Sequence, residues 1–110
     1  MDAQTKQRIE DAIASKPVFV FMKGSPEFPQ CGFSARTIEI LKAAGLERDQ
    51  LGTMDVLEDE SIRSGIKEFS NWPTIPQVYI KGDFVGGCDI MMEMYQNGEL
   101  KKKLDVEASS

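Results

Sequence analysis

The sequence predicts a mixed α/β fold, a four-stranded mixed sheet flanked by helices on both faces. Three observations predict it. The continuous apolar run Val18-Phe19-Val20-Phe21-Met22 is rich in β-branched and aromatic residues and reads as a strand buried on both sides. Segments of helical period alternate with short strand-like segments along the first half of the chain. Further on, two short apolar runs flank Lys81-Gly82-Asp83, a hairpin signal, because glycine accepts the positive φ of a tight turn.

Taken in order, Ile9, Ala12 and Ile13 recur at helical spacing between polar neighbours and define a first helix that ends before Pro17. The strand over Val18 to Met22 is stopped by Lys23-Gly24-Ser25-Pro26. A loop holding Pro26, Pro29 and Gly32 follows, then Ile38, Ile40, Leu41 and Ala44 on a helix closed by Gly45. A second strand is expected around Thr53-Met54-Asp55-Val56. Glu58-Asp59-Glu60 then opens a helix carrying Ile62, Ile66 and Phe69, since acidic residues suit the positive end of a helix dipole. Pro73 and Pro76 bracket Thr74-Ile75, and Val78-Tyr79-Ile80 pairs with Phe84-Val85. A last helix starts near Cys88-Asp89, carries Ile90, Met91, Met94 and Tyr95, and reaches Asn97-Gly98, with a further amphipathic turn or two to Leu104. Val106 to Ser110 are expected to fray. The order β-α-β-α-β-β-α after an N-terminal helix fits a thioredoxin-like architecture in a single domain over 1–110, with its core over about 5–104.

Composition narrows the function. At 110 residues the chain holds one domain with a modest core. Thirteen Lys and Arg against eighteen Asp and Glu leave a net charge of −5, which argues against nucleic acid and anionic membranes as partners. With no histidine, the chain alone builds neither a histidine-based triad nor a histidine zinc site. Two cysteines, Cys31 and Cys88, are too few for the disulfide framework of a small secreted domain and point to a reducing compartment. Met1 to Ile13 lack the apolar core of a secretory signal, and no apolar run approaches a membrane span, so a soluble, mature protein is expected.

Cys31 follows a proline-bearing loop and directly precedes a helix, where unpaired N–H groups and the helix dipole favour an anion. The thiolate is the form that attacks disulfides and ligates metals, so the position suits either chemistry. Free cysteine is often mere core filler, but the proline and glycine neighbours indicate an exposed loop. Three residues on, where a dithiol oxidoreductase carries its resolving cysteine, stands Ser34, expected to bond a local N–H near the helix start. Any resolving thiol must then come from outside or from Cys88.

Met22-Lys23-Gly24, Pro29-Gln30-Cys31-Gly32-Phe33-Ser34, Trp72-Pro73-Thr74-Ile75-Pro76-Gln77 and Gly86-Gly87-Cys88-Asp89 together resemble the monothiol glutaredoxins of the Cys-Gly-Phe-Ser type. The resemblance runs in order over roughly residues 5 to 104. It implies a glutathione molecule beside Cys31 and a [2Fe–2S] cluster bridging two subunits through Cys31 of each and two glutathione thiols. Such a cluster ordinarily takes four thiolates, and two chains with one usable cysteine each supply two of them.

The same resemblance places Lys23 near the glutathione carboxylate and the thiolate, and Arg63 at the glycyl carboxylate. It implies that Thr74, Ile75 and Pro76 form a cis-proline turn whose Ile75 backbone pairs with the cysteinyl part of glutathione. Gly87, Cys88 and Asp89 would receive the γ-glutamyl end at a helix N-terminus, with Asp89 meeting its amino group, and Phe33 completes the glutathione contacts. Cys88 has two candidate roles, a backbone contact to glutathione or a reversible partner for Cys31. Trp72 reads as a packing or cluster-shielding residue and Met91, Met92 and Met94 as fillers.

The expected function is therefore a glutathione-dependent carrier, homodimeric with cluster and monomeric without, that passes [2Fe–2S] clusters to apo-proteins. The alternative is glutathione-dependent thiol–disulfide exchange with Cys31 as nucleophile, for which the resemblance implies weak turnover. A BolA-type protein is a further candidate partner. The bacterial cytoplasm is the expected location, with the mitochondrial matrix, after removal of a targeting peptide, as the alternative.

Overall fold

Every residue of β1 (Val18–Met22) is buried, as its unbroken apolar run demands, because the strand is flanked on both edges and covered on both faces. The computed structural model describes the backbone of residues 1–109 and the side chains of residues 1–104. β1 pairs in parallel with β2 (Leu51–Asp55) and antiparallel with β3 (Gln77–Ile80). β4 (Asp83–Gly86) completes the sheet in the order β2-β1-β3-β4.

Side chains alternate across the strands and build two cores. Val18, Val20 and Met22, with Val78 and Ile80, pack on α2 (Gly32–Ala43), α4 (Cys88–Gln96) and α5 (Glu99–Ser109) through Ile38, Leu41, Met91, Leu100 and Leu104. Phe19, Phe21 and Tyr79 face the other way, against Ile9 and Ile13 of α1 (Ala3–Ser15) and Ile62 and Ile66 of α3 (Glu60–Ser70). The result is the thioredoxin-like arrangement that the element order predicts, with helices on both sheet faces.

Local chemistry sets the boundaries. Asp2 and Asp59 cap α1 and α3, their carboxylates accepting the N–H groups of Thr5 and Ile62. Asn71 ends α3 in a left-handed conformation, φ 54°. Lys81 and Gly82 both take positive φ, 54° and 82°, the geometry a two-residue hairpin loop requires.

Two boundaries differ from expectation. β2 begins at Leu51, earlier than the expected Thr53, and stops at Asp55. Gly52 hides the strand in the sequence because it packs directly on the Phe19 ring, where a Cβ would stand 2.6 Å from Cδ2. Val56 instead starts a 3₁₀ turn whose Leu57 N–H donates to Asp55 Oδ1 at 2.9 Å. α5 runs to Ser109, through residues expected to fray, and Asp105 to Ser109 contain no glycine or proline to stop it. Ser110 lies outside the described residues. Among the described residues, no helix is long and apolar enough to cross a membrane.

Candidate functional site

After β1 the chain folds back on itself before entering α2. Gly24 makes the reversal possible: its φ is +88°, and a Cβ there would lie 2.5 Å from the Phe28 carbonyl oxygen and 2.6 Å from the Gln30 nitrogen. Its N–H donates to Asp55 Oδ1 at 2.9 Å, and the Gln30 N–H donates to the Lys23 carbonyl at 2.9 Å. This bracing delivers Cys31, partly exposed, to the N-cap position of α2.

The thiol of Cys31 is held below its ordinary value, foremost by the Ser34 backbone N–H. The Phe33 N–H, the Lys23 charge and the Ser34 hydroxyl add to this, and partial burial opposes it. Ser34 is fully buried. Its hydroxyl oxygen accepts the Lys23 N–H at 3.1 Å, across the loop, where the sequence reading expected a partner near the helix start.

Cys31 opens onto a cavity of about 490 Å³. Lys23 and Phe33 line it beside the thiol; Thr74, Ile75 and Pro76 supply the turn before β3, and Gly87, Cys88 and Asp89 the start of α4. The Ile75–Pro76 peptide bond is cis. Gly87 backs closely onto this turn, since a Cβ there would stand 3.0 Å from the Pro76 carbonyl oxygen. Of the expected glutathione contacts, Arg63 alone is not among the residues lining the cavity; Lys67, four residues later on α3, lines it instead. The i+4 spacing of Lys67 from Arg63 puts both on one helix face, but the spacing does not say which of the two reaches the cavity. Trp72 and Pro73 also line the cavity, and the Trp72 ring packs on Phe84 with centroids 5.8 Å apart.

Two helix N-termini thus meet at one hollow, together with two lysines and a single carboxylate, Asp89. Such a site favours a ligand with anionic groups, with Asp89 available to an amine and Cys31 to a thiol or disulfide. Cys31 and Cys88 are both free thiols, and Cys88 is buried. Among the described residues no three His, Cys, Asp or Glu side chains gather as a metal site.

Residues 18–85 match the glutaredoxin family. A mitochondrial monothiol glutaredoxin-5 of Lachancea kluyveri is 56% identical over 105 residues, covering 96% of this chain and 73% of the relative. The chain belongs to the monothiol glutaredoxins. A ycf64-like monothiol glutaredoxin of Synechocystis, itself described as uncharacterized, is 54% identical over the full length of both chains. Among solved structures, a buckwheat glutaredoxin–glutathione complex superposes with a TM-score of 0.80 at 25% identity, covering 96% of this glutaredoxin and 94% of that chain. The Lachancea relative is named as mitochondrial, and the Synechocystis one is cyanobacterial.

Proposed function

We propose that this glutaredoxin binds glutathione beside Cys31 and, as a dimer, carries a [2Fe–2S] cluster that it passes to apo-proteins. One observation carries the reading: a single accessible thiol, held toward its thiolate, borders an anion-favouring cavity, while Ser34 occupies the place of a resolving cysteine. The glycyl carboxylate suits Lys23 and Lys67, and the γ-glutamyl carboxylate suits the N–H groups that open α4. Asp89 suits the amino group, and the Ile75 backbone suits the cysteinyl amide in the manner of an added strand.

The donor set fits a shared cluster. One chain contributes Cys31 and one bound glutathione contributes a second thiolate, so two copies reach the roughly four thiolates such a cluster takes. Because half of those ligands are dissociable, the cargo is held loosely enough to be handed on to an apo-protein, or to a mixed complex with a BolA-type partner. We place the activity in the bacterial cytoplasm, with the mitochondrial matrix as the alternative.

The depressed thiol of Cys31 favours a second reading, thiol–disulfide exchange. The Cys31 thiolate attacks the glutathione sulfur of a glutathionylated protein, forming a Cys31–glutathione disulfide and releasing the protein thiolate. A second glutathione thiolate then attacks that disulfide, giving oxidised glutathione and restoring Cys31.

Anaerobic reconstitution with iron, sulfide and glutathione, followed by mixing with a colourless apo-acceptor, separates the two. Cluster absorption that moves to the acceptor supports the carrier. Absence of any cluster, with efficient glutathione-coupled reduction of a mixed disulfide, supports exchange.

A further inference from the structure

Gln77 opens β3 directly after Pro76, and none of its surface is exposed. A carboxamide in an aromatic core is costly unless each of its hydrogen bonds is replaced. Here the replacements lie in the cavity wall. Nε2 donates to the Trp72 carbonyl at 3.1 Å and to the Thr74 carbonyl at 3.2 Å, which uses both of its hydrogens. Oε1 accepts from the Tyr79 hydroxyl at 3.3 Å, two residues along the same strand face. A reversed amide would turn its oxygen toward two carbonyl oxygens, so the network fixes which end is nitrogen.

The residues it grips form a wall of the cavity. Trp72, Pro73 and Thr74 all line it and are all exposed, crossing from α3 to the cis-proline turn. The Trp72 N–H is held from the helix side, donating to the Lys67 carbonyl at 3.2 Å and to Ser70 Oγ at 3.1 Å. Gln77 holds the carbonyls from the sheet side, so the segment is pinned between helix and strand.

We infer that Gln77 is a positioning residue: its buried carboxamide sets the Trp72–Thr74 wall and, through it, how tightly the cavity holds its ligand. The ligand half of this statement rests on the glutathione reading above; the wall half does not.

Trp72 is the single tryptophan of the chain, so its fluorescence reports on the segment alone. The test compares wild type with Gln77→Leu, which keeps most of the volume and removes both donors. In ligand-free protein, acrylamide quenching of Trp72 is expected to rise about twofold as the wall loosens. Glutathione binding by calorimetry is expected to weaken about tenfold, or about 1.4 kcal/mol. The pH midpoint of Cys31 alkylation is expected to stay put, since no group that stabilises the thiolate lies on this segment.

A folded Gln77→Leu protein with unchanged quenching would overturn the inference and make Gln77 mere filler. A shifted Cys31 midpoint would overturn it too, by showing general loosening of the site. If Gln77→Leu does not fold, Tyr79→Phe removes only the hydroxyl that holds Oε1. Smaller changes in the same direction are then expected, and none would overturn the inference. Wild-type protein that fails to bind glutathione would defeat the ligand reading alone, because the quenching comparison is made without ligand.

Discussion

At Cys31 the backbone does most of the work. The N–H groups of Ser34 and Phe33 come with the helix, whereas Lys23 and the Ser34 hydroxyl are side-chain additions. Lys23→Gln and Ser34→Ala should therefore each raise the pH midpoint of Cys31 alkylation by iodoacetamide, yet leave most of the depression below the ordinary value of 9.0 in place. A midpoint that returned fully to 9.0 in either variant would show that the helix N-terminus contributes little. Ser34→Ala also strands the Lys23 N–H that its hydroxyl now accepts, at a cost of about 1–3 kcal/mol in stability. The placement of Cys31 was legible in the sequence because Pro29 and Gly32 bracket it at a strand-to-helix junction. The bond from Lys23 to Ser34 was not, since it joins residues eleven apart that only the folded loop brings together.

At the scale of elements, the loop between β1 and α2 depends on one glycine. Gly24→Ala would force a side chain into a positive φ and against two backbone atoms, so a loss of about 2 kcal/mol or more is expected in urea unfolding. Slower alkylation of a displaced Cys31 should accompany it, and wild-type stability in the variant would contradict the geometry described here. β1 and the hairpin were legible because each is a short-range pattern, an apolar run in one case and a Gly-bearing turn in the other. β2 was read two residues late, because Gly52 owes its place to contact with Phe19 on the neighbouring strand, which no local pattern records. Lys67 was overlooked for a similar reason. Its neighbour Arg63 shares its helix face, and only the path of α3 across the sheet decides which cation reaches the cavity.

For the whole molecule, the sheet separates two cores, and the site sits where the loops of both faces meet. The aromatic core carries a titratable group, Tyr79, whose hydroxyl burial pushes up from 10.0 to about 12. Between those values the unfolded chain loses this proton while the folded chain keeps it, so stability is full below pH 10 and falls as pH rises toward 12. Tyr79→Phe should remove up to about 3 kcal/mol of that alkaline loss, read as a flatter pH dependence of the urea midpoint. An identical alkaline slope in the variant would place the loss elsewhere. The proposed sharing of one cluster by two chains and two glutathiones through Cys31 is tested most directly by the composition of the reconstituted species. Protein, iron and glutathione should be counted in the coloured fraction purified anaerobically by size. The expected result is a dimer with about two irons and two glutathiones, absent without glutathione and absent in Cys31→Ser. A coloured monomer, or a coloured species that forms equally well without glutathione or in Cys31→Ser, would contradict it.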